Sequence, residues 1–254
     1  MSKENKKILD GAGPFYYEGN KVGILMIHGG GGGTCADLKP LAEEIYREGE
    51  YTIHVPLLPG YGTSPEDLRT TPISAWKDAI DNYIKSLKEK CETIIVGGHS
   101  MGGLLTLIST TKHNLDGIFT ISSPIGIQGI LLKLVPLFKI FIKYHSINSE
   151  QFRRDTNGKW VGYNKMPINI APKFKKLINE MKESLPYVKC PALLFQGRLD
   201  SVIDQKSMDY IYESINSKRK RKIWLENNDH PILDSPDHNQ IVSELLKFVT
   251  EICT

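Results

Sequence analysis

The sequence predicts an α/β domain: a mostly parallel central sheet with helices on both faces and a small inserted helical cap. Three observations predict it. Unbroken apolar runs alternate with amphipathic segments, the pattern of β-α units around a buried sheet. Strand candidates such as VGILMI at 22–27 are apolar throughout instead of alternating, as strands covered on both faces must be. The rhythm lapses after Pro124 and resumes near Ala192, which reads as one insertion into one core. The expected division is a core of 1–124 and 188–254 with a cap or lid at 125–187.

The elements follow in order. Val22 to Ile27 is a strand and a glycine-rich turn follows it. A helix comes next, with Leu38, Leu41 and Ile45 on one face, Pro40 near its first turn and Gly49 at its end. Tyr51 to Pro56 reads as a strand. Ser74 to about Lys88 reads as a helix burying Trp76, Ile80, Tyr83, Ile84 and Leu87. Thr93 to Gly97 is a strand, Met101 to about Lys112 a helix of small residues, and Gly117 to Ser122 a strand.

Within the insertion, the apolar stretch from Ile130 to Ile142 is interrupted by Lys133, Pro136 and Lys139 and is too short to span a bilayer. It reads as a lid that packs on the core and lines a pocket, or as one that also touches lipid when open. A polar segment, Ser149 to Lys159, and an amphipathic helix around Lys173 to Lys182 follow. The regular pattern then resumes with a strand at Ala192 to Gln196, a helix from Asp204 and a strand at Lys222 to Glu226. The last helix opens with Asp237 three residues before Gln240, a capping-box spacing, and carries Ile241, Leu245, Phe248 and Ile252 on one stripe.

Composition bounds the class. The chain has 254 residues, 40% hydrophobic and 24% charged, which fits one soluble domain and excludes a disordered chain, a collagen repeat or a disulfide scaffold. A net charge of +3 is too small for an extended nucleic-acid or anionic-membrane surface. The basic run Lys218 to Lys222 falls between a helix and a strand and reads as a solvated turn, so no nucleic-acid partner is expected. The cysteines at 35, 91, 190 and 253 form no CxxC pair and have no histidine at zinc-finger spacing, the pattern of reduced thiols in a cytosolic protein. The opening MSKENKKILDGAG carries positive charge with no apolar region behind it, so no secretory signal is expected and the location is cytoplasmic.

The chemistry centres on Gly98-His99-Ser100-Met101-Gly102. A chance G-x-S-x-G occurs in roughly one chain in ten of this length, so the motif alone says little. Its place between an apolar strand and a helix of small residues makes it a nucleophile elbow, with glycines relieving side-chain collisions around a strained serine. Serine needs a base within hydrogen-bond reach. Of seven histidines, His230 follows a strand and precedes the final helix, so it projects from the sheet end where Ser100 projects. Asp200, after the strand at Ala192, is the acid that orients the imidazole. Asp204 reads as a helix N-cap, and the side chain of Asp229 points away from its neighbour His230. The order Ser100, Asp200, His230 is the one this elbow type shows.

An attacked carbonyl also needs two N–H donors. Met101, directly after the nucleophile, supplies one. The loop His28 to Thr34, with five consecutive glycines, supplies the other through Gly30, with Gly31 as the fallback. A flexible turn and a phosphate-binding loop are the other readings; the loop lacks the GK[ST] ending of a Walker site. No HExxH helix or acidic metal cluster occurs in the sequence, and a serine triad requires no metal.

Over nearly its whole length the sequence resembles the α/β-hydrolase family, and within it the small bacterial carboxylesterase and monoacylglycerol-lipase-like members. The likeness rests on His28-Gly29, Pro40-Leu41-Ala42-Glu43, Leu58-Pro59-Gly60-Tyr61-Gly62-Thr63 and Gly98-His99-Ser100-Met101-Gly102-Gly103, and continues in Cys190-Pro191-Ala192-Leu193-Leu194 with Asp200 and in Asp229-His230. The resemblance implies a cofactor-free ester hydrolase with a small cap inserted after the sixth strand. Two positions depart from the family pattern. Members often carry a bulky residue where Gly30 stands, beside the acyl pocket, and often a histidine at the Tyr61 position. A glycine at 30 suggests an acyl pocket open to bulkier substrates.

The expected activity is therefore that of a serine carboxylesterase for short- to medium-chain acyl esters, acting through an acyl-enzyme on Ser100, His230 and Asp200. A monoacylglycerol lipase or lysophospholipase is the alternative that an apolar lid favours. Acyl transfer to another acceptor would use the same residues, whereas an epoxide hydrolase or dehalogenase needs Asp in place of Ser100. A non-catalytic binding protein on the same fold is the alternative of another class. The expected partner is a small ester. No stable membrane insertion is expected beyond transient lipid contact through the cap, and the chain is expected to be a monomer or weak homodimer.

Overall fold

The structure, a computed structural model, describes residues 7–127 and 143–254; the apolar stretch read as a lid at 130–142 lies outside the described residues. The apolar runs become strands at the expected places. In chain order these are β1 (Phe15–Tyr17), β2 (Val22–Ile27), β3 (Thr52–Val55), β4 (Thr93–His99), β5 (Gly117–Ile121), β6 (Tyr144–Ser146), β7 (Lys165–Pro167), β8 (Ala192–Gly197) and β9 (Lys220–Leu225). Seven of them form one sheet in the order β1-β3-β2-β4-β5-β8-β9, with β6 and β7 pairing only with each other. β1 runs antiparallel to β3, and every other pair in the large sheet is parallel. The strand β1 has no counterpart in the sequence reading, because three residues are too few to show a period.

The helices are α1 (Lys39–Gly49), α2 (Pro65–Thr70), α3 (Ile73–Lys88), α4 (Met101–Ser109), α5 (Ser149–Asp155), α6 (Ile170–Ser184), α7 (Ser207–Ser214) and α8 (His238–Cys253). Alternate residues of each strand face opposite sides of the sheet, so a sheet with two apolar faces needs helices on both. One face packs Ile24, Met26, Phe119 and Phe195 against Leu41 and Ile45 of α1 and Ile241, Leu245 and Phe248 of α8. The other packs Leu25, Ile27, Val96 and Leu194 against α3, α4, α6 and α7 through Trp76, Ile80, Leu104, Leu177, Met181 and Ile211.

The chain leaves the main sheet after β5, the fifth strand in chain order among the described residues, where the resemblance counts a sixth. Its return is firmly seated. Leu177, Ile178 and Met181 of α6 lie in the same core as α4. Lys173 Nζ donates to the carbonyls of Leu68, Arg69 and Thr71 at 3.1, 3.1 and 2.6 Å, and Lys77 pairs with Glu180 at 2.6 Å.

Three local expectations need correction. The basic run is not all turn: Lys220 to Lys222 begin β9 at the sheet edge, where Arg221 pairs with Glu244 and Glu251 and Lys222 with Asp209. α7 starts at Ser207, not Asp204, whose Oδ1 instead accepts from the Lys206 N–H in the preceding turn. No capping box forms at α8. The Asp237 carboxylate accepts from Asn227 N and Nδ2 at 2.8 and 3.0 Å, closing the loop between β9 and α8.

Candidate active site

Parallel strands end on one edge of the sheet, and the loops after β2, β4, β8 and β9 deliver Gly30, Ser100, Asp200 and His230 there. Ser100 sits between β4 and α4 at φ 52° and ψ −114°, a left-handed strain rare for a residue with a side chain. The flanking glycines are required, though the collision they avoid is not with the serine itself. A Cβ at Gly98 would stand 2.5 Å from the carbonyl carbon of Gly102 and 2.6 Å from the Ile27 oxygen. One at Gly102 would stand 2.6 Å from the Ile27 carbonyl carbon. The elbow is thus pressed against itself and against the end of β2.

His230 Nε2 lies 3.1 Å from Ser100 Oγ, and Nδ1 lies 2.9 Å from Asp200 Oδ2. The Asp200 side chain is fully buried and the imidazole 13% exposed, so the pair is shielded while the Nε2 edge reaches the cavity. Burial alone would raise the Asp200 carboxyl. The hydrogen bond and charge of His230, with the Ile203 and Val202 N–H groups on Oδ1, outweigh it and hold the group below the usual carboxylate range. The carboxylate therefore fixes Nδ1–H and leaves Nε2 free to take a proton from serine.

The remaining histidines have other partners or surroundings. His99 Nε2 donates to the His230 carbonyl at 2.9 Å, and burial, then the charge of His230, lowers its pKa to about 3. His54 lies between the rings of Tyr16 and Tyr83, His113 meets Asp81, and His238 meets Glu44. His145 is exposed at the cavity. His28 holds the glycine loop: its Nδ1 donates to the Gly29 carbonyl at 2.8 Å and its Nε2 accepts from the Leu58 N–H at 3.1 Å. Burial lowers its pKa to about 4, so it stays neutral.

That bond sets the glycine-rich loop. In a trans peptide the N–H points opposite the C=O, so fixing the Gly29 carbonyl fixes the Gly30 N–H. Gly30 is buried beside Met101, whereas Gly31 is exposed with open space around it. Met101 opens α4, and its N–H belongs to a first turn with no carbonyl of its own helix to meet. Tyr61, at the position where the family often has histidine, donates to the Gly30 carbonyl at 3.3 Å.

These groups border a cavity of about 500 Å³ whose walls come from the core and from the segment between β5 and β8: Phe152, Trp160, Met166, Ile168, Phe174 and Leu233 are among them. The lining is predominantly apolar, with Asp37 the one carboxylate among the described lining residues. Its Oδ1 is buried without a hydrogen-bond partner, and burial pushes its pKa up to about 7. Among the described residues no group of His, Cys, Asp and Glu is placed to hold a metal, and no helix is long and apolar enough to cross a membrane.

Sequence reading missed three contributors. Asp229 does turn from the His230 ring, as expected, but it does so to accept from Ser201 N and Oγ at 2.8 and 3.0 Å, tying the Asp200 loop to the His230 loop. Nothing in the local sequence sets Asp37 apart, and Phe174 is one apolar residue within the amphipathic helix read around Lys173 to Lys182. The short helix α2 was legible but passed over: Ser64-Pro65-Glu66-Asp67 is an N-cap, a proline and two acids, and Ser64 Oγ accepts from the Asp67 N–H.

Residues 19–237 match the family described as serine aminopeptidase, S33. The chain belongs to that family. It is 33% identical over 246 residues to a thermostable monoacylglycerol lipase from Bacillus sp. strain H-257, covering 96% of this chain and 97% of that one. It is 26% identical over 247 residues to a carboxylesterase from Bacillus subtilis strain 168, covering 94% and 96%. Among solved structures it resembles one from a study of LipS and LipT, two metagenome-derived lipolytic enzymes, with a TM-score of 0.87, 28% identity and coverage of 96% and 100%. The fold is the α/β-hydrolase fold that the sequence led us to expect, and the chain is a serine hydrolase by family.

Proposed function

We propose that the protein hydrolyses carboxylic esters, with Ser100 as nucleophile, His230 as general base and then acid, and Asp200 as the group that orients the imidazole. The observation that carries the reading is the continuous relay Asp200 Oδ2–His230 Nδ1 at 2.9 Å and His230 Nε2–Ser100 Oγ at 3.1 Å on a strained elbow. Ser100 Oγ attacks the ester carbonyl carbon as its proton passes to Nε2. The carbonyl electrons move to the oxygen, which the Gly30 and Met101 N–H groups receive. Collapse expels the alcohol, protonated by His230, and leaves an acyl-serine. Water, deprotonated by the same Nε2, attacks this ester and returns Ser100 with release of the acid.

We read the described residues of the 125–187 insertion as the cap over the site, since Phe152, Trp160, Met166 and Phe174 line the cavity. Each residue invoked comes from one chain, so a monomer suffices. The four free cysteines suit a reducing compartment, and we assign the enzyme to the cytoplasm. The apolar cavity, together with the 33% identity to a monoacylglycerol lipase, favours a second reading in which longer acyl chains on a glycerol-sized alcohol are preferred.

Hydrolysis rates on nitrophenyl esters of increasing acyl length, with the Ser100→Ala protein as blank, separate these. A maximum at short chains supports a general carboxylesterase, and one at long chains supports the lipase-like reading. Equal rates for wild type and Ser100→Ala contradict both.

A further inference from the structure

The glycine at position 30 leaves no vacancy. A Cβ there would stand 2.7 Å from Phe174 Cε1, closer still to Cζ, and 2.9 Å from Met101 Sδ. Real Cβ contacts are not that short, so a side chain at 30 and the Phe174 ring exclude one another. The expectation that Gly30 opens the pocket is corrected: the ring of Phe174, carried by α6, fills the space beside the oxyanion loop.

The sheet order says which part of an ester meets that ring. Ser100 follows β4, with the Gly30 loop on the β2 side and the Asp200 and His230 loops on the β8 and β9 side. The leaving alcohol must reach His230 Nε2 for its proton and the oxyanion takes the Gly30 and Met101 N–H groups, so the acyl group takes the remaining direction, into the cavity against the apolar wall that Phe174 lines. The ring is also firmly held. Ile170, Phe174, Leu177 and Met181 form one stripe of α6 that runs from the cavity wall into the core, and the adjacent Lys173 donates to three backbone carbonyls.

We propose that Phe174 is the residue that sets how much bulk the acyl group carries next to its carbonyl carbon, a limit imposed from the α6 helix and not from the oxyanion loop. This rests on the ester-hydrolase reading above. An apolar wall discriminates a methyl group or two by about 10–200-fold, so its removal is measurable.

The test compares kcat/KM for nitrophenyl butanoate and nitrophenyl 2,2-dimethylpropanoate in wild type, Phe174→Ala, Gly30→Phe and the double variant Gly30→Phe/Phe174→Ala. Phe174→Ala is expected to shift the ratio toward the branched ester by about tenfold or more. Gly30→Phe alone, forced into filled space, is expected to lose activity on both esters. The double variant is expected to return the ratio to near wild type, the non-additivity of two residues competing for one volume. A folded Phe174→Ala protein whose ratio stays within about twofold of wild type overturns the proposal. If Phe174→Ala does not fold, Phe174→Leu is expected to give a smaller shift of the same sign, and an unmoved ratio there overturns it equally.

A parallel series of butanoate esters with different alcohols is expected to keep its wild-type order. A shift confined to that series overturns the acyl assignment. Wild-type rates no higher than the Ser100→Ala blank defeat the ester-hydrolase reading itself, whereas active wild type with an unmoved ratio defeats only the Phe174 proposal.

Discussion

Asp229 accepts hydrogen bonds from the Ser201 N–H and hydroxyl, 28 residues away in sequence, and through the same oxygen from its neighbour's N–H at 2.7 Å. One carboxylate thus fixes the backbone on both sides of the Asp200–His230 pair without touching either ring or substrate. Asp229→Ala should lower kcat by roughly 10–100-fold with KM little changed, because misplacing a general base by a fraction of an ångström is costly. Asp229→Asn, which keeps an acceptor oxygen, should recover most of the loss. Steady-state kinetics on one ester checks this, and a KM effect with unchanged kcat would argue against it.

The orienting role proposed for Asp200 makes a separate prediction. Asp200→Asn keeps the shape but removes the charge and permits the wrong imidazole tautomer, so kcat should fall by about 10⁴-fold at neutral pH. Its melting temperature should fall as well, since Oδ1 also accepts from Val202 and Ile203. A loss below tenfold would remove Asp200 from the relay.

The sequence led directly to Ser100, Asp200 and His230 because each lies just past a strand, and parallel strands place such loops together whatever the lengths between them. Gly98 and Gly102 were legible for the same reason: the elbow is a local shape. Phe174 was not. Its role depends on α6 crossing over a loop near residue 30, a long-range packing that no period in either segment records. The failed capping box at α8 shows the converse, a correct local motif outcompeted when Asn227 claims the Asp237 carboxylate. Lys220 and Arg221, the first two residues of β9, were misread because charge hid an edge strand.

The elbow glycines allow a stability prediction. Gly102→Ala places a methyl group within 2.6 Å of the Ile27 carbonyl carbon, with backbone on both sides and nothing flexible to yield. It should destabilise the fold by on the order of 3 kcal/mol, or prevent folding, as measured by denaturant titration. Gly31→Ala, at an exposed position with open space, is the control and should change stability little.

Asp37 predicts a pH effect of definite sign. Burial raises its folded-state pKa from 3.8 to about 7, so the native state holds a proton that the unfolded chain has released. Its contribution to stability therefore declines as pH rises from about 4 to about 7 and stays unfavourable above that. Asp37→Asn should raise the melting temperature at pH 8, by a free energy on the order of 2 kcal/mol because the group borders the cavity, and should change it little at pH 4. A stabilisation independent of pH would contradict the assignment.

The same carboxylate bears on substrate class. An aminopeptidase must hold a substrate ammonium, and Asp37, the one acid among the described lining residues, is pushed toward its neutral form by burial. Esters should exceed aminoacyl nitroanilides in kcat/KM by at least about 10³-fold.

The proposed nucleophile is Ser100, raised by His230. The most direct measurement is the intact mass of the protein after treatment with an active-site phosphonate, read beside ester hydrolysis by wild type, Ser100→Ala and His230→Ala. We predict one phosphonyl adduct on Ser100 in wild type, none in Ser100→Ala, and a fall in kcat on the order of 10⁶-fold in either variant. An adduct on another residue, or a loss below tenfold, would contradict the account.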